Sequence, residues 1–403
     1  MITPSFGLTA TERVLPRLAL DFTTASLDSR VTFTRSGGTA SVVNSAGVIV
    51  AAGVDVPRFD YDPVTLACKG LLIEESRTNQ TLQSENFSTS WTLNAVSASV
   101  DATISPDGTT NADKVYAQAT TAQHYAAQGY TATVANSYTL SVFAKADEET
   151  SITLRHIGAT TFASAVYDLS GGTVSTVSGT ASIKNFGNGW YRCILTGVAD
   201  STTPTYRINL RQASSYAGDG SSGAYLWGAQ LEAGAFATSY IPTTVAQVTR
   251  TADVATMTGA NFSDWYSAGA GGIVARVLPS TVSGTRPVVQ FDDTTSSEVI
   301  ALRGNTTNPE LSIVDGGAPQ SQIDAGTIAA NTTYNFGAAW ATDNCAAAVN
   351  GGASVTDTTA TIPTVTQARL GSDGANYLNG QLQTVRYWPQ RLIDAEVQSF
   401  SKG

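Results

Sequence analysis

Two histidines, His124 and His156, are the only imidazoles in 403 residues. Neither stands beside a Ser or Cys in an activated-nucleophile pattern, so no Ser-His chemistry is expected. The sequence also lacks HExxH, a P-loop and a dinucleotide-binding glycine pattern. Carboxylate chemistry needs an acid and a base or nucleophile roughly 5–10 Å apart. The densest acids, Asp147-Glu148-Glu149 and Asp292-Asp293, sit among turn residues and read as solvated loop tips. Calcium takes clustered oxygen ligands from loops, and Asp107, Asp113 and Asp219 are the candidates for such a site. No other cofactor and no catalytic residue is assigned.

A second chemistry is stacking, because sugars lay their apolar faces on aromatic rings. Of six tryptophans, Trp190, Trp227 and Trp388 lie on strands with clear alternation and read as core. Trp91, Trp265 with Tyr266, and Tyr216 in SSYAGDGSSGAY fall at edges or in loops and are the candidate ligand contacts. A third group is the opposite charges Arg58, Asp60, Asp62, Glu74, Glu75 and Arg77. One reading makes them surface or inter-strand ion pairs of small individual worth. The other makes Arg58, Asp60, Glu74, Glu75 and Arg77 an assembly contact, where arginine forks on carboxylates set register. Cys68, Cys193 and Cys345 are far apart and read as three buried thiols.

The elements that must position these residues are strands. Charged residues are 13% of the chain and 36 residues are glycine, amid abundant Thr, Ser, Ala and Val, a β-rich composition with many turns. Its length suits two or three domains. Residues 1–56 alternate in short runs too poor in large apolar side chains for an independent core, so this region is expected to fold against another domain or another copy. Residues 83–246 carry strand-like runs every 10–15 residues, eight or so, which suits a two-sheet jelly roll. After the linker Tyr240 to Arg250, residues 247–403 give about eight more, then a short helix at Ile393 to Ser401. The expected fold is all-β: an extended N-terminal region, 1–82, then two antiparallel sandwiches, 83–246 and 247–403. A formal net charge of −10, spread along the chain, disfavours nucleic acid and anionic membrane as partners. The N-terminus has no secretory pattern and no window approaches the ~20 apolar residues of a membrane span. The chain is expected to be soluble and made in a reducing cytoplasm.

GLLIEESRTN followed by SENFSTSW resembles a segment of tailed-bacteriophage virion proteins, including tail-fibre and head-spike components. The similarity continues in DGTTNADKV, GWYRCILTG and DGSSGAYLWGAQLEAGAFATSYIPTT, covering roughly residues 18 to 256. It implies a carbohydrate-binding-module-like jelly roll joined to an N-terminal virion-attachment and oligomerisation region. YLNGQLQTVRYWPQRLIDAEVQSFS is similar to the last strand and closing helix of concanavalin-A-like or laminin-G-like sandwiches. Neither resemblance places a sugar contact.

The expected function is that of a non-enzymatic virion structural protein, a head spike or tail-fibre subunit displaying lectin-like sandwiches to host surface polysaccharide. Its implied partners are other virion proteins through the N-terminal region and copies of itself, a trimer being favoured. The alternative is a capsid or tail decoration or connector protein with no receptor role. A depolymerase is disfavoured, since no β-helix repeat appears.

Overall fold

A computed structural model describes residues 15–212 and 214–403, and the chain is all-β. Residues 92–233 form two six-stranded antiparallel sheets. The first runs Thr173–Ser178, Thr161–Asp168, Ser151–Ile157, Thr205–Leu210, Tyr125–Gly129, Thr92–Asn94. The second runs Thr180–Asn185, Trp190–Val198, Ser137–Ala146, Gly223–Ala233, Thr110–Ala117, Val96–Ile104. Alternation turns Ile152, Leu154, Tyr206, Ile208 and Leu210 of the first sheet onto Leu140, Val142, Leu195, Leu226 and Leu231 of the second. His156 lies in this interior, stacked on Phe162 with its Nδ1 3.0 Å from the Tyr130 hydroxyl. Thr173–Ser178 and Thr180–Asn185 are polar, mostly exposed strands that sequence patterning did not anticipate.

The second sandwich departs from sequence order. Its seven-stranded sheet comprises Thr32–Thr34, Val254–Thr258, Gln367–Leu370, Thr285–Asp292, Val299–Asn305, Asn308–Asp315 and Ala318–Asp324. The facing eight-stranded sheet runs Val355–Asp357, Cys345–Val349, Tyr334–Ala341, Ala270–Pro279, Gly380–Trp388, Cys68–Ile73, Phe59–Tyr61, with Leu18–Asp21 also on Gly380–Trp388. One edge of Gly380–Trp388 is therefore shared end to end, Leu18 facing Tyr387 and Leu71 facing Leu382. Residues 15–82 form no body of their own. Leu18, Leu20, Phe22, Phe33, Leu71 and Ile73 lie in the same core as Phe291, Trp340 and Tyr387. Gly70 marks the close approach: its φ is +103°, and a Cβ there would stand 2.4 Å from the Leu382 carbonyl oxygen. The closing helix, Asp394–Phe400, is where the sequence placed it, with Phe400 stacked on Trp388.

The jelly roll is thus an insertion into the second sandwich. Chain enters it through Arg77–Asn79 and leaves through Val248–Arg250, and these two segments pair as a stem, Arg77 facing Arg250. At the base of the stem three arginines and two carboxylates are buried together. Asp253 accepts from Arg35 at 3.1 Å, from Arg58, and from the Glu74 backbone N–H at 2.9 Å. Glu74 meets Arg58 at 2.8 Å and Arg250 at 3.4 Å, and accepts from the Ser239 N–H and hydroxyl at 2.8 and 2.6 Å. Burial works against the Glu74 carboxylate, yet the charges of Arg250 and Arg58 hold its pKa down to about 2. Burial likewise opposes the charge on Arg58, and Asp253 and Glu74 overcome it, raising its pKa. Above the network, the hairpin Ala40–Val43/Ile49–Ala52 lays Val43 and Ile49 against Phe143, Trp190, Trp227 and Tyr240 on the outer face of the second jelly-roll sheet.

Three outcomes follow from this architecture. Residues 247–403 expressed alone should fail to give a cooperative melt, whereas replacing residues 80–247 by a short turn should leave a folded sandwich, both read by circular dichroism and size exclusion. Glu74→Gln leaves three buried guanidinium groups to the single carboxylate of Asp253 and should destabilise the full chain by about 3–5 kcal/mol in denaturant titrations. Acid should act in two windows. Burial pushes the His156 pKa down to about 4 from the usual 6.5, so the unfolded chain binds the proton first and stability falls from pH 6.5 to about 4, by on the order of 3 kcal/mol. Glu74 adds a second loss as pH falls from about 4.5 to about 2. His156→Gln should flatten the upper window of a melting-temperature profile and leave the lower one.

Candidate binding cleft

Where the hairpin, the jelly roll and the second sandwich meet, a cleft of about 740 Å³ opens over the charge network. One wall is the turn between Phe59–Tyr61 and Cys68–Ile73. The opposite wall is the jelly-roll edge strand Thr180–Asn185, and the third is Leu278, Ser280, Asn331 and Gln381 of the second sandwich. Its apolar surface comes from Val43, Ile49, Leu72, Phe143 and Phe186.

The polar groups are held by their own bonds. Asp60 takes Lys69 Nζ at 2.6 Å and Gln381 Nε2 at 2.8 Å. Asp62 accepts the N–H groups of Val64 and Thr65 at 3.0 and 2.7 Å; burial raises its pKa less than these bonds lower it, so it stays ionised. Arg192 donates to Thr238 O at 2.8 Å and to Ser141 Oγ at 2.9 Å, with its guanidinium 5.3 Å from the Phe143 ring centre. Lys184 is an exposed residue whose ammonium reaches across the mouth to Asn331 Oδ1 at 3.3 Å. Desolvation there, with Arg192 and Lys69 adding like charge, pushes its pKa down to about 8. With Asp62 and Glu74 both held ionised, neither is a proton donor near neutral pH. What the arrangement offers is a rigid set of donors and acceptors around an apolar floor.

The candidates read from sequence fall elsewhere, with the exception of Asp60 and Glu74, which line the cleft. Trp91 is core: its ring stacks on Phe87 at 4.6 Å and its Nε1 donates to Gln83 O. Trp265 is also core, 2% exposed, edge-on to Tyr387 at 5.0 Å. Tyr266 packs on Phe262 at 4.6 Å beside it. Loop position in sequence misled here, because the loops fold back as lids on the two cores. Tyr216 is half-buried, against His124 and beneath Arg211. Arg58 and Glu74, expected as surface pairs or assembly contacts, are enclosed within the chain, and Asp60 and Arg77 are nearly so. Arg77 pairs with Glu75 at 2.7 Å and lies 4.7 Å over the Phe236 ring.

Of the acids expected at solvated tips, Glu148 is exposed and Asp293 caps an exposed turn, whereas two others differ. Asp292 is buried and receives Arg369 Nε and Gln290 Nε2, each at 2.9 Å, while Glu149 is buried under Arg211. Asp147 and Glu148 clasp Lys114. Asp107 and Asp219 cap their own turns, and buried Asp113 takes the N–H groups of Phe87 and Asp101. Among the described residues no three His, Cys, Asp or Glu side chains gather to hold a metal ion. Cys193 and Cys345 are buried, Cys68 is half-buried, and all three are free thiols. The cleft itself carried little sequence signal, since its lining is drawn from positions as distant as Ser41, Lys184 and Gln381.

No family model and no curated protein matches the sequence. Among solved structures, the chain is similar to the CBM40 module of the Ruminococcus gnavus IT-sialidase bound to α2,3-sialyllactose, with 12% identity and a TM-score of 0.30 over 34% of this chain and 84% of that one. It is similar to domains LG4-5 of the mouse laminin α1 chain, with 11% identity and a TM-score of 0.24 over 69% and 88%. It is also similar to the NanB sialidase of Streptococcus pneumoniae, with 13% identity and a TM-score of 0.31 over 36% of this chain and 26% of that one. These are likenesses of β-sheet architecture, and the functional reading rests on the geometry of the cleft.

Proposed function

We propose that this protein is a non-enzymatic glycan-binding protein that docks host surface polysaccharide in the three-walled cleft. The observation that carries the reading is the cleft's mixed lining: hydrogen-bonding side chains at fixed positions around Val43, Ile49, Phe143 and Phe186. Saccharides present that same mixture, hydroxyl rims and apolar C–H faces. The virion-protein resemblance of residues 18–256 supports its setting as a spike or tail-fibre subunit on a tailed-bacteriophage particle. Of the strands in residues 15–82, Leu18–Asp21, Thr32–Thr34, Phe59–Tyr61 and Cys68–Ile73 belong to the sheets of the second sandwich, so anchoring by these residues falls to outward surfaces of that sandwich. Single clefts bind sugars weakly, and several copies on one particle supply avidity.

Lys184 and Asn331 span the mouth without supporting either core, which makes them the test. Purified chain is expected to bind capsule or lipopolysaccharide extracts and a subset of a glycan array, and Lys184→Ala with Asn331→Ala to weaken that binding about tenfold or more while the circular dichroism spectrum stays that of the folded parent. A chain that binds no extract, or a double variant that binds as well as the parent, would remove the adsorption role and leave the decoration or connector role in its place.

A further inference from the structure

The outer face of the first jelly-roll sheet carries a charge arrangement that packing does not explain. Arg155 on Ser151–Ile157 and Arg207 on Thr205–Leu210 are register partners, directly opposite one another. Like charges so placed destabilise a sheet unless something neutralises them. Both side chains are half-buried, and among the described residues neither has a carboxylate within ion-pair distance, whereas Arg211 at the end of the same strand is paired with Glu149. The carboxylates flanking the hairpin of Ser151–Ile157 and Thr161–Asp168 are committed to their own turns, Asp200 to Ala159 and Thr160, Asp168 to Ser170 and Gly171.

The guanidinium groups are held in place with donors to spare. Arg155 Nη2 donates to Thr161 Oγ1 at 2.8 Å, and Arg207 lies 4.2 Å over the Tyr125 ring. Burial depresses the Arg155 pKa, and the charge of Arg207 depresses it further. Beside Arg155 a groove of about 500 Å³ is lined by the hydroxyl-bearing Ser164 and Ser178 and by Val166 and Val177, the last 74% exposed. On the same face, one alternation along from Arg207, Asn209 is fully buried with neither its amide oxygen nor its nitrogen partnered.

We infer that this face is a second binding site, which takes the carboxylate or sulfate of an acidic saccharide between Arg155 and Arg207, the sugar ring lying in the adjoining groove. Paired guanidinium groups suit one compact anion. The hydroxyls and Val177 suit the hydroxyl rim and C–H face of the ring that bears it. The surrounding chain, at a net charge of −10, opposes an extended polyanion and so favours a ligand with a local charge among neutral groups. The inference rests on the glycan-binding reading and places an acid-specific site apart from the cleft.

Calorimetric titration of the full chain with two acid/neutral pairs tests it: methyl glucuronide with methyl glucoside, and 3′-sialyllactose with lactose. At least one acid should bind about tenfold or more tightly than its neutral partner, weakening as salt rises. Arg155→Gln and Arg207→Gln should each remove about tenfold or more of that affinity without lowering the melting temperature, because each relieves a like-charge contact. Lys184→Ala with Asn331→Ala should leave it unchanged. Acids that bind no better than their neutral partners, or arginine variants that bind like the parent, would overturn the site. If extract binding is lost with the Lys184 and Asn331 changes but survives the arginine changes, the cleft stands and this site falls.

Discussion

Burying Arg35, Arg58, Arg250, Glu74 and Asp253 in one place is the constraint on which the rest of the molecule depends. Taking charges out of water is expensive, and the penalty is offset only where geometry is good and the remaining donors and acceptors are satisfied. Here the terminal nitrogens find further acceptors, Arg35 donating to Val56 O, Arg58 to Ser41 O and Ser239 Oγ, and Arg250 to Glu75 O, while the Nε groups of all three stay buried without a partner. Those acceptors come from the hairpin region, from the residues leaving the jelly roll, and from the stem. Satisfying the five charges therefore requires all three to arrive together.

Such a junction explains how an inserted jelly roll is held in one orientation. A two-stranded stem by itself is a hinge, since three-residue strands restrain little. The network closes one side of it, and the packing of Val43 and Ile49 on Trp190, Trp227 and Phe143 closes the other. Trp190 and Trp227 are buried as their alternation implied, but they serve this contact rather than the space between the jelly-roll sheets. Gly234 fits the same account: a Cβ there would overlap the Arg77 guanidinium, which lies over Phe236.

Rigid placement gives the cleft its chemistry. Its walls belong to different parts of the chain. Lys184 and Asn331 are 147 residues apart in sequence and meet only because the jelly-roll edge strand is brought alongside the second sandwich. The outer-sheet arginines obey a different logic, since their juxtaposition is set by strand register within one sheet. The cleft is thus shaped between distant parts of the chain, and the arginine pair is fixed within a single surface.

The all-β class, both sandwiches, most long strands and the closing helix were legible in sequence, because period-two alternation and turn chemistry are local properties. The helix expected at Ile393 to Ser401 spans Asp394–Phe400. The dependence of residues 15–56 was legible too, since runs so poor in large apolar side chains cannot close a core, while residues 1–14 lie outside the described residues. What they lean on was not, because strand pairing across more than 300 residues, such as Leu18 with Tyr387, leaves no local trace. The charges of Arg58 and Glu74 were visible as residue types, but burial is a property of the assembled neighbours. The same holds for Trp91 and Trp265, whose loop positions suggested open faces and whose rings the fold turned inward. Local chemistry in this chain determined which strands form and which side of each is apolar; only the tertiary structure decided which distant strands complete a sheet, which charges leave water, and where a cleft opens between them.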